Sequence, residues 1–183
     1  SMDQAARALS GEGAMVAGID VRQLRKRFRS GDDDCVLPDG DLENLSHYLQ
    51  GYARQPTYRT PLLVGHDEGA ALAYAMQAVA DKDVFAGAIS LGFCPVLDIG
   101  KPLCKRDDLH FFDSAKGSRV SLLPVGKVAQ PWVVLQGAKD ASCGISGVHD
   151  FVGKVRGAAM STLPDAGHDL IAARNGLPAL LAS

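Results

Sequence analysis

The sequence predicts an α/β fold, a three-layer sandwich in which helices cover both faces of a mostly parallel sheet. Apolar runs at 61–64, 85–91 and 131–136 are typical of short buried strands. Segments with apolar residues at helical spacing separate these runs, and strands that alternate with helices favour parallel pairing. Glycine and charged residues follow several of the strands, so we expect reactive side chains at the carboxyl edge of the sheet.

Length and composition fit a single domain over residues 1–183. The chain is 46% hydrophobic and 22% charged, which provides enough apolar residues for one sizeable core. Its net charge of −2 gives no overall attraction to nucleic acid or to an anionic membrane, and we expect no nucleic-acid partner. No apolar run approaches the roughly 20 residues of a membrane-spanning helix, so no transmembrane segment is expected.

The first residues predict a helix followed by a strand. Residues 3–11 have the composition of the end of a helix, and 14–20 form an apolar run that ends in a carboxylate, Asp20. A doubly wound sheet normally opens with a strand. We therefore expect one or more leading strands to be missing here, and the chain to be a fragment of a longer protein.

Residues 22–34 change from basic to acidic. This stretch is either an anion-binding patch or, as we favour, a solvated connection whose opposite charges satisfy each other. After it, Asp39 or Asp41 can cap a helix. The apolar residues of that helix fall on one face, which predicts packing against the core: Leu42, Leu45, Tyr48, Leu49 and Tyr52.

The segment from Thr60 to Ala80 predicts a strand, a tight turn and a helix. The turn, Gly65-His66-Asp67-Glu68-Gly69, has the form G-x-D-x-G. That is the nucleophile elbow of an α/β-hydrolase with aspartate where serine usually stands. We expect both glycines to be required, because a strand that turns directly into a helix strains the central residue and leaves no space for a side chain on either side.

The second half continues the alternation. The strand at 85–91 is followed by a long irregular excursion, 92–118, and a loop of that length is commonly functional or covers a site. Beyond the strand at 131–136 we expect a helix at about 145–155, a strand at 158–163 and a short last helix.

Four cysteines, Cys35, Cys94, Cys104 and Cys143, contain no close-spaced metal motif. Zinc is therefore not expected, and no other metal or cofactor motif occurs. The even number favours two disulfides and an oxidising compartment over four reduced thiols in a cytosolic, esterase-like enzyme. Cys94 and Cys104 could close the loop between them, although the sequence does not fix the connectivity.

Three polar residues occupy the positions of a hydrolase catalytic triad. In α/β-hydrolases the nucleophile, the acid and the histidine follow one another along the chain, each just beyond a strand. Asp67, Asp140 and His168 stand in that order after predicted strands. We therefore predict an α/β-hydrolase-like sandwich with this candidate triad.

Three longer stretches make the chain similar to the VirJ/AcvB family of bacterial virulence proteins, and especially to the amino-terminal domain of AcvB-type members. They are CVLPDGDLENLSHYLQGYARQPTYRTPLLVG, AGAISLGFCPVLDIGKPLC and PWVVLQGAKDASC, which are Cys35–Gly65, Ala86–Cys104 and Pro131–Cys143. The resemblance implies an α/β-hydrolase fold, a periplasmic location with disulfides, and a link to virulence and type IV secretion. For AcvB-type proteins it implies hydrolysis of aminoacylated phosphatidylglycerol, such as the lysyl lipid.

The sequence departs from this family in two respects. Members usually carry serine at the elbow, whereas this chain has Asp67, so an acyl-serine mechanism is not available. The leading strand and its glycine-rich loop, which would supply an oxyanion donor, should precede residue 3. The backbone N–H of Glu68 is then the one obvious donor.

Two roles for Asp67 follow. Epoxide hydrolases and haloalkane dehalogenases place aspartate at this elbow, and Asp67 could attack carbon while His168, oriented by Asp140, activates water. Alternatively, Asp67 is a helix cap left after activity was lost. We favour a degenerate periplasmic domain that binds a lipid or protein partner or supports a catalytic sister domain. The alternative is an active hydrolase of an ester, an epoxide or an aminoacyl lipid.

Overall fold

The structure, a computed structural model, describes residues 2–113 and 118–170. Within these ranges it contains five helices and seven strands. In chain order they are α1 (Met2–Gly11), α2 (Val21–Ser30), α3 (Asp39–Tyr52), β1 (Leu62–His66), α4 (Glu68–Val79), β2 (Gly87–Leu91), β3 (Val96–Asp98), β4 (Phe111–Asp113), β5 (Arg119–Leu122), β6 (Lys127–Gly137), α5 (Ile145–Val152) and β7 (Arg156–Leu163). The predicted last helix falls outside the described residues.

A four-stranded sheet in the order β1-β2-β6-β7 organises the molecule, and all of its pairings are parallel. Parallel strands place their carboxyl ends at one edge. The residues that follow β1, β2, β6 and β7 therefore meet above the sheet. The predicted α/β class with a mostly parallel sheet is confirmed.

Helix α4 packs centrally on one face of this sheet. Its residues from Ala70 to Met76 are all buried, and most of them are alanine, which lets the helix approach the strands closely. Aromatic rings fill the space beside it, where Trp132 of β6 lies 4.5 Å from Tyr74, centroid to centroid. On the opposite face, Ala5 of α1 packs with Leu91 and Leu135, so helices cover both faces.

The predicted irregular excursion contains a second, small sheet. Strands β3, β5 and β4 pair antiparallel in that order. Leu97, Val120 and Leu122 are buried while the residue between the last two, Ser121, is exposed. Such alternation marks a half-buried strand, but here it extends over only three or four residues at a time, too short to recognise in the sequence.

The predicted strand at 14–20 is wrong. These residues are exposed and pair with no strand among the described residues. The predicted solvated connection after them is wrong in part, because Val21–Ser30 is the helix α2. Asp20 caps that helix through a 2.9 Å bond from the Arg22 N–H, and Phe28 is buried. Its many basic residues mask the inward-facing apolar positions.

Helix α3 contains the five predicted apolar residues but lacks the predicted cap and part of the predicted packing. Its first flanking residue is Pro38, and no side chain caps the helix. Leu45, Tyr48 and Tyr52 are 36%, 68% and 81% exposed, so the predicted inward face is wrong for all three. The buried side chain is Gln50, which receives the Arg59 N–H at 2.8 Å and donates to the Arg59 carbonyl at 2.7 Å.

The four cysteines form two disulfides, Cys35–Cys104 and Cys94–Cys143. Two bridges confirm the predicted number, whereas the Cys94–Cys104 closure suggested by their shared loop is wrong. Each bridge joins segments that are distant in sequence but neighbours in the fold. Across residues 2–113 and 118–170, no helix is long and apolar enough to span a bilayer.

Candidate active site

The elbow between β1 and α4 has the strained backbone that its sequence predicts. Asp67 has φ 55° and ψ −120°, a region that residues other than glycine rarely occupy and that costs about 1–3 kcal/mol. Its carbonyl accepts the N–H groups of Ala70 and Ala71 at 2.9 and 3.3 Å. The chain therefore turns from strand to helix at Asp67, with the residue at the carboxyl edge of the sheet.

Only one of the two elbow glycines is needed for space. A Cβ on Gly65 would lie 1.9 Å from the Gly69 carbonyl oxygen, a distance that no side chain can have. A Cβ on Gly69 would lie 3.8 Å from Val21 Cγ2, an ordinary contact. The expectation that both glycines are required is wrong for Gly69, because its own position opens toward α2.

The structure brings the three predicted triad residues together. Asp140 follows β6, and His168 follows β7. His168 Nδ1 lies 2.8 Å from Asp140 Oδ2, and His168 Nε2 lies 3.2 Å from Asp67 Oδ1. An ionised carboxylate can only accept hydrogen bonds. Both ring nitrogens must then carry a proton, and the arrangement favours an imidazolium held between two carboxylates.

The surroundings of the two buried members reinforce this protonation state. Burial opposes the charged ring of His168, but its hydrogen bonds to Asp140 and Asp67 outweigh that effect and raise its pKa. Burial likewise opposes the Asp140 carboxylate, but bonds from the Cys143 N–H, His168 and the Ser142 N–H lower its pKa. The Asp140 side chain is 0% exposed and that of Asp67 is 59% exposed, so Asp67 is the member that a ligand can reach.

Gln136 positions Asp140 and was missed in the sequence. Its amide nitrogen donates to Asp140 Oδ2 at 2.7 Å, and its amide oxygen accepts the Phe93 N–H at 2.8 Å. The Ser142 and Cys143 N–H groups donate to the other carboxylate oxygen at 2.8 and 2.9 Å. The sequence signal for Gln136 was a polar side chain at the end of an apolar strand, and we gave that side chain no role beyond the strand.

The backbone of His168 is also fixed. Its carbonyl lies 3.3 Å from His66 Nε2. A Cβ on Gly92, which has φ 60°, would lie 2.5 Å from the same carbonyl oxygen. Only glycine fits there, and the loop after β2 therefore holds the histidine loop in place.

Glu68 and Arg25 form an ion pair beside the elbow. Arg25 Nε also donates to the Asp98 carbonyl at 2.7 Å, and its side chain is only 22% exposed. Placing Arg25 in a solvated connection was therefore wrong, because α2 packs against the start of α4. The Glu68 N–H belongs to the first turn of α4, whose N–H groups have no partner within the helix, and its role as an oxyanion donor stays a prediction.

Asp67 does not cap the helix that it precedes. Among the described residues, its side chain makes no capping hydrogen bond to α4, and its carboxylate faces His168 instead. The same part of the chain contains no cluster of three or more His, Cys, Asp or Glu side chains arranged to hold a metal ion.

Comparison with solved structures shows the α/β-hydrolase fold. An esterase domain from Rhodothermus marinus has a TM-score of 0.59 at 16% identity, over 98% of this chain and 77% of that one. A Xanthomonas campestris pv. campestris protein described as an α/β-superfamily hydrolase has a TM-score of 0.55 at 17% identity, over 98% and 86%. A lidless serine hydrolase from Xanthomonas campestris has a TM-score of 0.52 at 20% identity, over 100% and 74%. No protein-family model and no curated protein matches the sequence.

Proposed function

We propose that this chain is a periplasmic α/β-hydrolase domain of the VirJ/AcvB type whose elbow binds a ligand instead of hydrolysing it through serine. One observation carries the proposal: both nitrogens of His168 face carboxylates, at 2.8 and 3.2 Å. A serine hydrolase needs a neutral ring that takes the serine proton. Here the elbow residue has no proton to give, and Nε2 already holds one.

The charges of the site favour a cationic ligand. With His168 protonated, the triad carries two negative charges and one positive charge. Its exposed member is the carboxylate of Asp67, which offers a free oxygen to a hydrogen-bond donor. The ammonium group of an aminoacylated phosphatidylglycerol, the lipid class implied by the resemblance, has the matching charge. A type IV secretion protein or a catalytic sister domain that presents a lysine would be bound in the same way.

The periplasmic location is supported by the two disulfides. Such bridges form and persist in oxidising compartments and are rare where thiols are kept reduced. Both bridges are internal to this domain. Association with virulence and type IV secretion rests on the sequence resemblance alone.

Calorimetry with short-chain lipids tests the ligand. We expect lysyl-phosphatidylglycerol to bind more tightly than plain phosphatidylglycerol, and Asp67→Asn to weaken the lysyl lipid about tenfold, because a hydrogen bond to a charged group contributes about 1.5–3 kcal/mol. Asp150→Asn, which removes an exposed carboxylate from α5, is the matched control and should bind as the native protein does. Equal affinity for both lipids would contradict the proposal.

A second function is favoured by the strain at Asp67 and by its lack of a capping bond. In this case Asp67 is a nucleophile. One carboxylate oxygen bonds to an electrophilic carbon while that carbon's bond to an epoxide oxygen breaks, and the opened oxygen takes a proton from water. Esterified Asp67 no longer stabilises the imidazolium, so His168 gives its proton to the hydroxide that this water leaves. The neutral ring then accepts a proton from a second water that attacks the carbonyl carbon of the Asp67 ester, which releases the alcohol and restores the carboxylate.

Heavy-oxygen water separates the two functions. Under the second function, turnover of an epoxide in labelled water puts label into the Asp67 carboxylate, where mass spectrometry of its peptide detects it. Under the first, the peptide keeps its natural mass. His168→Gln is the control for the second function, because it should trap the ester before water attacks.

A further inference from the structure

Helix α2 presents a cationic stripe to solvent. The helix contains five Lys or Arg and no Asp or Glu. Arg22, Lys26 and Arg29 are exposed, and their spacing of four and three residues places them on one face. Asp20 lies at one end of the stripe, with its carboxylate 3.5 Å from Arg22 Nε, and Arg29 interacts electrostatically with Asp98. The acidic residues 32–34 lie beyond the other end of the helix.

An exposed apolar segment precedes this stripe. Met15, Val16 and Ile19 are 49%, 40% and 43% exposed, although their composition predicted a buried strand. Three large apolar side chains in five residues on the surface are unusual for a chain that has a core available to it. Apolar side chains next to a row of Lys and Arg are the combination with which peripheral proteins enter the headgroup region of a membrane.

Helix α2, which carries the cationic stripe, contacts the elbow through its other side. Val21 Cγ2 lies 3.8 Å from the position of a Cβ on Gly69, and Arg25 bonds to Glu68, the neighbour of Asp67. The first two turns of α2 therefore lie against the start of α4. A surface bound to the exposed side of α2 would therefore be separated from the elbow by the thickness of this one helix.

We propose that this membrane-docking surface, defined as Met15, Val16, Ile19, Arg22, Lys26 and Arg29, binds an anionic phospholipid bilayer and delivers lipid headgroups to Asp67. The delivery rests on the proposed lipid-binding function, whereas the docking does not. Nucleic acid is the other large polyanion, but it gives no reason for apolar residues beside the cations. Because the net charge of −2 gives no overall attraction to an anionic surface, the attraction has to come from local cations such as these.

Vesicle sedimentation tests the docking. We expect the protein to bind vesicles that contain both phosphatidylglycerol and phosphatidylcholine and not to bind vesicles of phosphatidylcholine alone. Its affinity for the mixed vesicles should fall as the salt concentration rises. The triple variant Arg22→Gln, Lys26→Gln and Arg29→Gln should bind about a hundredfold more weakly, since each cation near an anionic surface contributes about a factor of five. All three side chains are exposed, so the variant should keep the native melting temperature.

The matched control removes three cations from the opposite end of the sheet. Lys82, Lys127 and Lys154 are exposed and follow α4, begin β6 and precede β7. Their triple change to Gln should leave vesicle binding unchanged. Equal loss in both triple variants, equal binding to neutral vesicles, or tighter binding to a DNA duplex than to anionic vesicles would overturn the proposal.

Two further variants distinguish membrane docking from ligand binding at Asp67 and from a role of the apolar segment in the folded core. Asp67→Asn should keep full vesicle affinity even if lysyl-lipid binding fails, so the docking and the ligand can fail independently. Changing Met15, Val16 and Ile19 to Ser should lower vesicle binding without lowering the melting temperature. A large drop in that temperature would show instead that the segment is part of the folded core, and would overturn its place in the docking surface.

Discussion

At His168, two hydrogen bonds decide which protonation state the ring holds. The bonds to Asp140 and Asp67 raise its pKa against the opposing effect of burial. A raised pKa means that the folded state binds this proton more tightly than the unfolded state does. The site is thus most stable when the ring is charged, which is the reverse of what a general base needs at neutral pH.

This protonation predicts how stability depends on pH. The contribution of His168 should be complete below about pH 6.5, the value for an unfolded histidine, and should be lost as the pH rises through the higher pKa of the folded state. We therefore expect His168→Gln to destabilise the protein more at about pH 5.5 than at about pH 9, as measured by urea unfolding. His149→Gln, which changes an exposed histidine of α5, should show a smaller difference. An equal cost of His168→Gln at both pH values would contradict the charged triad.

Replacing the elbow carboxylate tests the same geometry chemically. Asp67→Ser places a hydroxyl one bond closer to the backbone than Oδ1, which lies 3.2 Å from His168 Nε2, and removes the charge that holds the ring protonated. We expect the variant to react with a fluorophosphonate probe, seen as a mass increase on the peptide that contains the substituted elbow position, whereas the native protein does not react. Adding His168→Ala should abolish the reaction. An unreactive Asp67→Ser protein would show that the site lacks oxyanion donors or a correctly placed ring.

Among the elements, the elbow contains a backbone contact that allows only glycine at one position. Strand β1 and helix α4 meet so closely that the Gly69 carbonyl occupies the space of a Gly65 side chain. Gly69 itself faces the less crowded side toward Val21. The G-x-D-x-G pattern therefore contains one glycine that the geometry requires and one that it tolerates.

The two glycines give a matched pair of variants. Gly65→Ala should destabilise the protein by about 3 kcal/mol or more, or prevent folding, because the backbone of α4 must move to accept the methyl group. Gly69→Ala should be neutral or stabilising by up to about 1 kcal/mol, because alanine favours a helix. Urea unfolding measures both. Equal destabilisation by the two changes would show that the elbow is not packed as described.

Gln136 links the loops after two strands. Its amide bonds to the Phe93 N–H that follows β2 and to Asp140 that follows β6. Gln136→Met keeps the side-chain volume but removes one hydrogen-bond partner from the buried Phe93 N–H and one from Asp140 Oδ2. This should lower the free energy of unfolding by about 1–3 kcal/mol. It should also raise the pKa of Asp140, so the loss of stability on acidification should begin at a higher pH. Gln77→Met changes another buried amide outside the site. It should not shift the pH at which stability begins to fall on acidification.

The elements and the triad differ in how far the sequence alone determines them. The two central strands of the parallel sheet, β2 and the second half of β6, are mostly buried, so they appear as apolar runs. A triad in hydrolase order follows the strands of this sheet. The sequence did not predict helix α2, because its large apolar residues are only three, Val21, Leu24 and Phe28, among five cations. Gln136 and Arg25 were missed for a related reason: their roles depend on contacts with Phe93 and Glu68, which lie 43 residues away in each case.

For the whole molecule, the two disulfides connect the small antiparallel sheet and its loops to the rest of the domain. Cys35–Cys104 ties the segment before α3 to the excursion across 69 residues, and Cys94–Cys143 ties the excursion to the Asp140 loop across 49. Loop closure over these lengths stabilises a fold by about 4 kcal/mol each in the chain-entropy model. A domain of ordinary stability, about 5–15 kcal/mol, therefore depends on oxidation.

The disulfide state set by the cell compartment should determine the stability of the domain. Protein recovered from a bacterial periplasm should contain no free thiols after denaturation, measured by mass increase with iodoacetamide, and should unfold at a much higher urea concentration than the same chain treated with reductant. Cys94→Ser with Cys143→Ser should also weaken ligand binding at Asp67, because that bridge holds the loop whose backbone N–H at position 143 donates to Asp140. Cys35→Ser with Cys104→Ser should lower stability with a smaller effect on binding, since that bridge lies away from the triad. A fully reduced protein that is as stable as the oxidised one would contradict the proposed periplasmic location. It would favour the cytosolic alternative instead.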